Sequence, residues 1–154
     1  MNLPLLAGLA FALFGSYLLF HSIANYRHAI ASQGWPRVAG RLVEVQLWKK
    51  RLIDGEMKDA EHVKVVFSYQ VNGRDYTGRS PTFYTLVYPE TVEFAERYPV
   101  GSEVQVYYNP VNPADAVLVP GLKKDKPYSE LILAIICLGV GIAVAVFGWL
   151  GVIG

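Results

Sequence analysis

Few residues in this chain have types and spacing suited to chemistry, and each such set also has an ordinary structural reading. His21 and His28 lie seven residues apart, so a helix containing both would place them on one face. Such a pair ligates a metal or haem iron only when further His, Cys or carboxylate groups converge on it. Both sit at the edge of an apolar run, where interfacial polar residues are the better account. His62 opens an alternating stretch on its polar side and is expected in solvent. Asp54, Glu56, Asp59 and Glu61 gather around Gly55. A calcium loop needs oxygen ligands at defined spacing about a glycine turn, and this run does not keep that spacing. An exposed connection over 49–61 is expected instead. No Ser or Cys stands in a nucleophile-elbow setting, no glycine-rich loop leads into a helix, and there is no HExxH motif. The expectation is therefore no catalytic residue, no cofactor and no metal.

The aromatic residues are more informative. The chain has ten tyrosines, of which Tyr69 and Tyr108 are assigned to the core. Residues 82–88 carry Phe83, Tyr84, Leu86 and Tyr88 and no charge. Together with Tyr107, on the outward side of its strand, they form the candidate partner-binding set. An uncharged aromatic loop is costly to leave in water. Either it closes over its own domain, or another protein or the bilayer surface covers it.

The elements that would position these residues follow from charge and periodicity. All 14 Lys and Arg and all 13 Asp and Glu lie between Arg27 and Glu130. The charged share is 18%, below the usual share of about 25%. Outside the charged region are two uncharged apolar runs, 3–24 and 131–153, each long enough for a helix to cross the roughly 30 Å hydrocarbon layer. A cleaved signal peptide fits the first run poorly. No Lys or Arg precedes it, it is long, and Arg27 separates it from the Ala29-Ile30-Ala31 triplet. Gly8, Ala12 and Gly15 form a small-residue stripe on the first run, and Ala134, Gly141, Ala145 and Gly148 form one on the second. Small residues allow close approach, so the two helices are expected to pack as a hairpin.

Residues 25–34 are expected to extend the first helix, and 122–130 to form a basic linker into the second. Between them, 35–121 reads as a soluble β domain. In 38–48, Val43, Val45 and Leu47 share the expected inner face. In 62–71, Val63, Val65, Phe67, Tyr69 and Val71 do the same, and Asn72-Gly73 is a strong hairpin signal. Residues 89–98 suit a short helix. The expected fold is a membrane protein with two transmembrane helices flanking a small, mostly antiparallel β domain. That domain should have five to six strands, a barrel-like form and one short helix.

The motif set within this domain resembles a bacterial membrane-protein family designated domain of unknown function 3592. The matching residues are Trp35 with Gly40, then Phe67 through Gly73 with Tyr76 and Gly78, then Gly101, Val106 through Pro110, Asn112-Pro113 and Leu118. The resemblance implies a membrane-anchored β domain and carries over no catalytic residues. Asn109 stands where the family pattern leads one to expect aspartate.

Net charge is +1 with the signs interleaved, so there is no argument for nucleic acid. The single cysteine, Cys137, excludes an intrachain disulfide. The expected partners are the lipid bilayer and another membrane protein or a second copy of this chain. The expected role is a non-enzymatic accessory or scaffold subunit. The alternative is a component of a membrane-bound hydrolase or transporter with an unrecognised active site. Lys and Arg flank the inner ends of both apolar runs and are absent from the outer ends. The positive-inside rule then places the β domain in the cytoplasm with both termini outside, and the resemblance implies a bacterial inner membrane.

Overall fold

The computed structural model describes residues 2–152. The chain forms two compact units, Met1–His28 with Lys123–Gly154, and Ala29–Leu122.

The first unit is a helix pair. Helix α1 spans Leu3–Ser32, with its last turn in the second unit, and α3 spans Ser129–Trp149. At 1.5 Å per residue these are about 45 Å and about 31 Å long. Both are long and apolar enough to cross a membrane. α1 is one continuous helix through the apolar run and on to Ser32, two residues short of the end of the expected extension.

The helices run antiparallel. A Cβ added at Gly8 would lie 2.3 Å from the Ala145 backbone nitrogen, and one at Gly15 would lie 2.6 Å from that of Leu138. At Gly141 it would meet the Ala12 nitrogen at 2.5 Å, and at Gly148 the Leu5 nitrogen at 2.7 Å. Backbone packs directly on backbone, which only glycine permits at these distances. Gly8, Gly15 and Ser22 are buried in steps of seven, as are Ala134, Gly141 and Gly148. A seven-residue repeat keeps the seam of two helices aligned. The large side chains, from Leu6 and Phe14 to Ile135 and Phe147, point away from this seam and are exposed.

The second unit is a five-stranded antiparallel sheet in the order β3-β2-β1-β4-β5. The strands are β1 Arg37–Ile53, β2 Glu56–Val71, β3 Arg74–Gly78, β4 Glu103–Tyr108 and β5 Ala116–Val117. The short helix α2, Glu90–Arg97, lays the buried Thr91 and Phe94 against β2 and β1. The Thr91 hydroxyl donates to the Ala60 carbonyl. The core is built from Leu42, Val65, Phe67, Tyr69, Val104 and Val106, with Phe94 from the helix. Burying Phe67 alone contributes on the order of 1.5–3 kcal/mol.

Three expectations are corrected here. The sheet is open: among the described residues no ladder joins β3 to β5, so the barrel-like form does not hold. One carbonyl, that of Pro81, accepts from both Leu118 and Val119 N–H at 2.9 Å. That contact ties the chain after β3 to the chain after β5 without closing a barrel.

Residues 49–61 are not a loose connection. β1 and β2 continue through them as a two-stranded ribbon to the turn at Asp54-Gly55. Asp54 (φ 52°) and Gly55 (φ 83°) both take left-handed conformations, which is what a two-residue hairpin turn with matching twist requires. Val43 is not an inner-face residue either. The ladder pairs Leu42 with Phe67 and Glu44 with Val66, so Val43 is a bulge and is 55% exposed. Leu42 is buried instead.

The points where the chain enters and leaves the sheet unit are joined. Ser32 Oγ accepts from Gly121 N–H at 2.9 Å and donates to the Ala29 carbonyl at 2.6 Å.

Candidate functional site

The five aromatic-set residues are all half-buried, and the structure disperses them. The 79–89 segment starts at Pro81, bonded near β5, and ends at Tyr88, over which the Arg51 guanidinium of the ribbon sits at 4.9 Å. Between these points, Phe83 meets Trp35 edge-on with centroids 5.8 Å apart. Leu86 packs on the main core. Tyr84 is half-buried, and its carbonyl accepts from the Thr82 hydroxyl. Tyr107 lies on β4, paired with Arg37 on one side and Val117 on the other. The segment is thus largely folded onto its own unit. Within it, Val87 is the large apolar side chain left most exposed.

The sheet unit exposes large apolar side chains at scattered places, Val43, Val100 and Val111 among them, and three lie on the ribbon. Leu52 and Met57 are cross-strand partners at its tip, 65% and 58% exposed, and Trp48 at its base is 51% exposed. Beyond the Trp48–His62 pair, neither strand has another strand beside it. Four of the ribbon's charges pair internally, Arg51 with Glu61 at 3.0 Å and Lys58 with Glu56 at 3.2 Å. Sequence reasoning missed this element although Asp54-Gly55 is itself a hairpin signal.

Two of the three histidines pack on aromatic rings. His21 stacks on Tyr17 at 6.2 Å, and His62 packs on Trp48 at 4.7 Å. Among the described residues no three His, Cys, Asp or Glu side chains gather in a metal-binding arrangement. An open groove of about 620 Å³ is lined by Arg41, Ser68, Gln70, Asp75, Thr77 and Glu103, with Tyr76 beside them. Gln70 donates to Asp75 at 3.1 Å across the hairpin. The groove's aliphatic hydroxyls, Ser68 and Thr77, face each other across β2 and β3, and the side chain bonded to its Asp75 carboxylate is Gln70.

One polar cluster is built with more care. The Tyr69 hydroxyl donates to the Pro113 carbonyl at 2.6 Å, and its ring stacks on Tyr76 at 5.6 Å. Burial, with the Asp115 carboxylate and Tyr76 adding to it, pushes the Tyr69 phenol up to about 12. Asn109 Nδ2 reaches Asp115 at 3.2 Å, and Asn109 Oδ1 accepts from Val111 N–H at 3.0 Å. Asn109 N–H donates to the Asp115 carbonyl at 2.8 Å. The Asn109–Asp115 loop is therefore closed on itself and clamped to β2.

These residues are also where the chain matches other proteins. The family described as "Domain of unknown function (DUF3592)" matches residues 38–123, more than half of the chain. The chain belongs to that family. No curated protein matches it. In the DUF3592 region, several of the residues that carried the resemblance have structural occupations. A Cβ at Gly78 would fall 2.1 Å from the Phe67 ring, and one at Gly40 would fall 2.6 Å from Val106. Asn72 and Gly73 make the β2–β3 turn with positive φ. Asn109 and Pro113 belong to the clamped loop, and Leu118 is bonded to Pro81.

Seven residues had been assigned to helix packing. Gly8 faces Ala145, Ala12 faces Gly141, Gly15 faces Leu138, Gly148 faces Leu5, and Ala134 is buried.

Proposed function

We propose that this DUF3592 protein is an integral membrane protein whose β unit is a non-enzymatic docking module. It would serve as an accessory or scaffold subunit that holds a protein partner at the bilayer. Two features support membrane anchoring. α1 and α3 use glycine for their mutual contact, and they leave their large apolar side chains outward, where only lipid or another helix covers them at low cost. The positive-inside pattern favours the β unit in the cytoplasm.

The observation that carries the docking role is the ribbon. The unit presents Trp48, Leu52 and Met57 on a two-stranded arm that no further strand flanks. Exposed aromatic and apolar groups of this kind are characteristic of interface anchors. Tyr88, held beneath Arg51, is the member of the aromatic set that joins this surface. The groove around Arg41 gives an enzymatic reading no comparable support.

The test is a gentle-detergent pull-down of full-length protein followed by mass spectrometry, beside the Trp48→Ala/Leu52→Ser/Met57→Ser variant. The expected result is a stoichiometric protein partner, or a second copy of the chain, recovered with wild type and lost with the variant. Equal recovery by both overturns the assignment of the ribbon.

A further inference from the structure

The two ends of the helix pair differ in charge. At one end Asn25 Nδ2 reaches Glu130 at 3.5 Å, and the rings of Tyr26 and Tyr128 stack at 5.9 Å. These contacts fix the pairing of α1 with the start of α3. Arg27 follows Tyr26 directly, and Lys123, Lys124 and Lys126 lie just before Tyr128. Four cations therefore gather at this end against two carboxylates, Asp125 and Glu130, and the second of these is engaged by Asn25. Arg27, Lys124 and Lys126 are exposed. At the other end Asn2 donates to the Gly148 carbonyl at 2.7 Å, and the sequence there has no Lys or Arg.

We propose that the Arg27–Lys126 end binds the phosphate-bearing headgroups of anionic phospholipids. The stacked Tyr26–Tyr128 pair would mark the depth of the headgroup layer. Tyrosine favours that layer because its ring is apolar and its hydroxyl is wet. Basic side chains beside a span attract anionic lipid, each worth about fivefold in binding near the surface. Three exposed cations flanking a stacked aromatic pair form a collar of the right chemistry. The inference rests on the reading that α1 and α3 span a bilayer.

The test uses full-length protein in nanodiscs of phosphatidylcholine mixed with phosphatidylglycerol. Lipids that stay bound after detergent release are counted by native mass spectrometry. Phosphatidylglycerol should be retained at least about fivefold over its share in the disc. The Lys123→Gln/Lys124→Gln/Lys126→Gln variant should bring retention close to the bulk ratio. The Lys49→Gln/Lys50→Gln variant, altered in the ribbon, should behave as wild type. Excess inorganic phosphate during release should leave the ratio unchanged; displacement by phosphate would reassign the site to a free anion and overturn the lipid proposal. Incorporation into discs with no headgroup preference, or a triple variant equal to wild type, overturns the site alone. Protein that never enters the discs overturns the membrane reading and the site with it.

Discussion

The two units use apolar residues in opposite ways. In the sheet unit, size and burial go together: Leu42, Phe67 and Val106 are nearly or fully buried, and the small residues make room for them. In the helix pair the small residues are buried, and leucines, isoleucines and phenylalanines face outward. Hydropathy alone therefore ranks the helices as the more core-like part of the chain, although they bury less. On the proposed membrane reading, what differs is the solvent around each unit. In water the large side chain gains by burial; in lipid it gains nothing by leaving the surface, and close backbone contact decides the packing.

The largest expected effect lies inside the sheet unit. Phe67→Ala removes a fully buried ring that packs on Gly78 and Tyr69. It should cost about 3–5 kcal/mol of stability, read from chemical denaturation of the full-length protein in detergent. A loss below about 1 kcal/mol would mean that size and burial do not go together there.

A matched pair of leucines sharpens the contrast. Leu13 on α1 is 74% exposed and Leu52 on the ribbon is 65% exposed. Leu13→Lys should cost about 3 kcal/mol of membrane insertion, seen as a shift of the chain from the membrane fraction. Leu52→Lys should change the stability of the fold by less than about 0.5 kcal/mol. Equal tolerance of the two changes would remove the distinction between the units.

A smaller effect concerns Tyr69. Its folded phenol, at about 12, lies above the ordinary value near 10, so the folded state holds the proton more tightly. The resulting stabilisation is fully present below pH 10 and is lost as pH rises from 10 through 12. Tyr69→Phe should flatten that decline, and it should cost about 1 kcal/mol at neutral pH through the bond to Pro113. An alkaline profile identical in wild type and variant would contradict the assignment.

Much of this was legible in the sequence where a local rule acts alone. Alternation from Val63 to Val71 marked the inner face of β2, and Asn72-Gly73 marked its turn. The second hairpin was harder to see. Asp54-Gly55 carries the same turn chemistry, but its flanks are charged and keep no alternating pattern, because most of the ribbon is exposed and only Ala60 is fully buried there. The Val43 bulge was illegible for the opposite reason. Val43, Val45 and Leu47 alternate well, and only the partner strand reveals the inserted residue. The aromatic set could not be placed as a group because neighbours in an irregular segment need not share a surface. Phe83 turns to Trp35, Leu86 to the core and Tyr88 to Arg51. Proximity in sequence carries no facing information where no period exists.

The account's central claim is that α1 and α3 cross a bilayer antiparallel, with the DUF3592 unit on the side rich in Lys and Arg. Single engineered cysteines at Asn2, Lys58 and Gly151, in a Cys137→Ser background, test it through labelling of intact cells by a membrane-impermeant reagent. Asn2→Cys and Gly151→Cys should be modified, and Lys58→Cys should be protected until the membrane is opened. Labelling of Lys58→Cys with the tails protected would contradict the orientation. Asn2→Cys and Gly151→Cys on opposite sides, or all three labelled alike, would contradict the two-span arrangement itself.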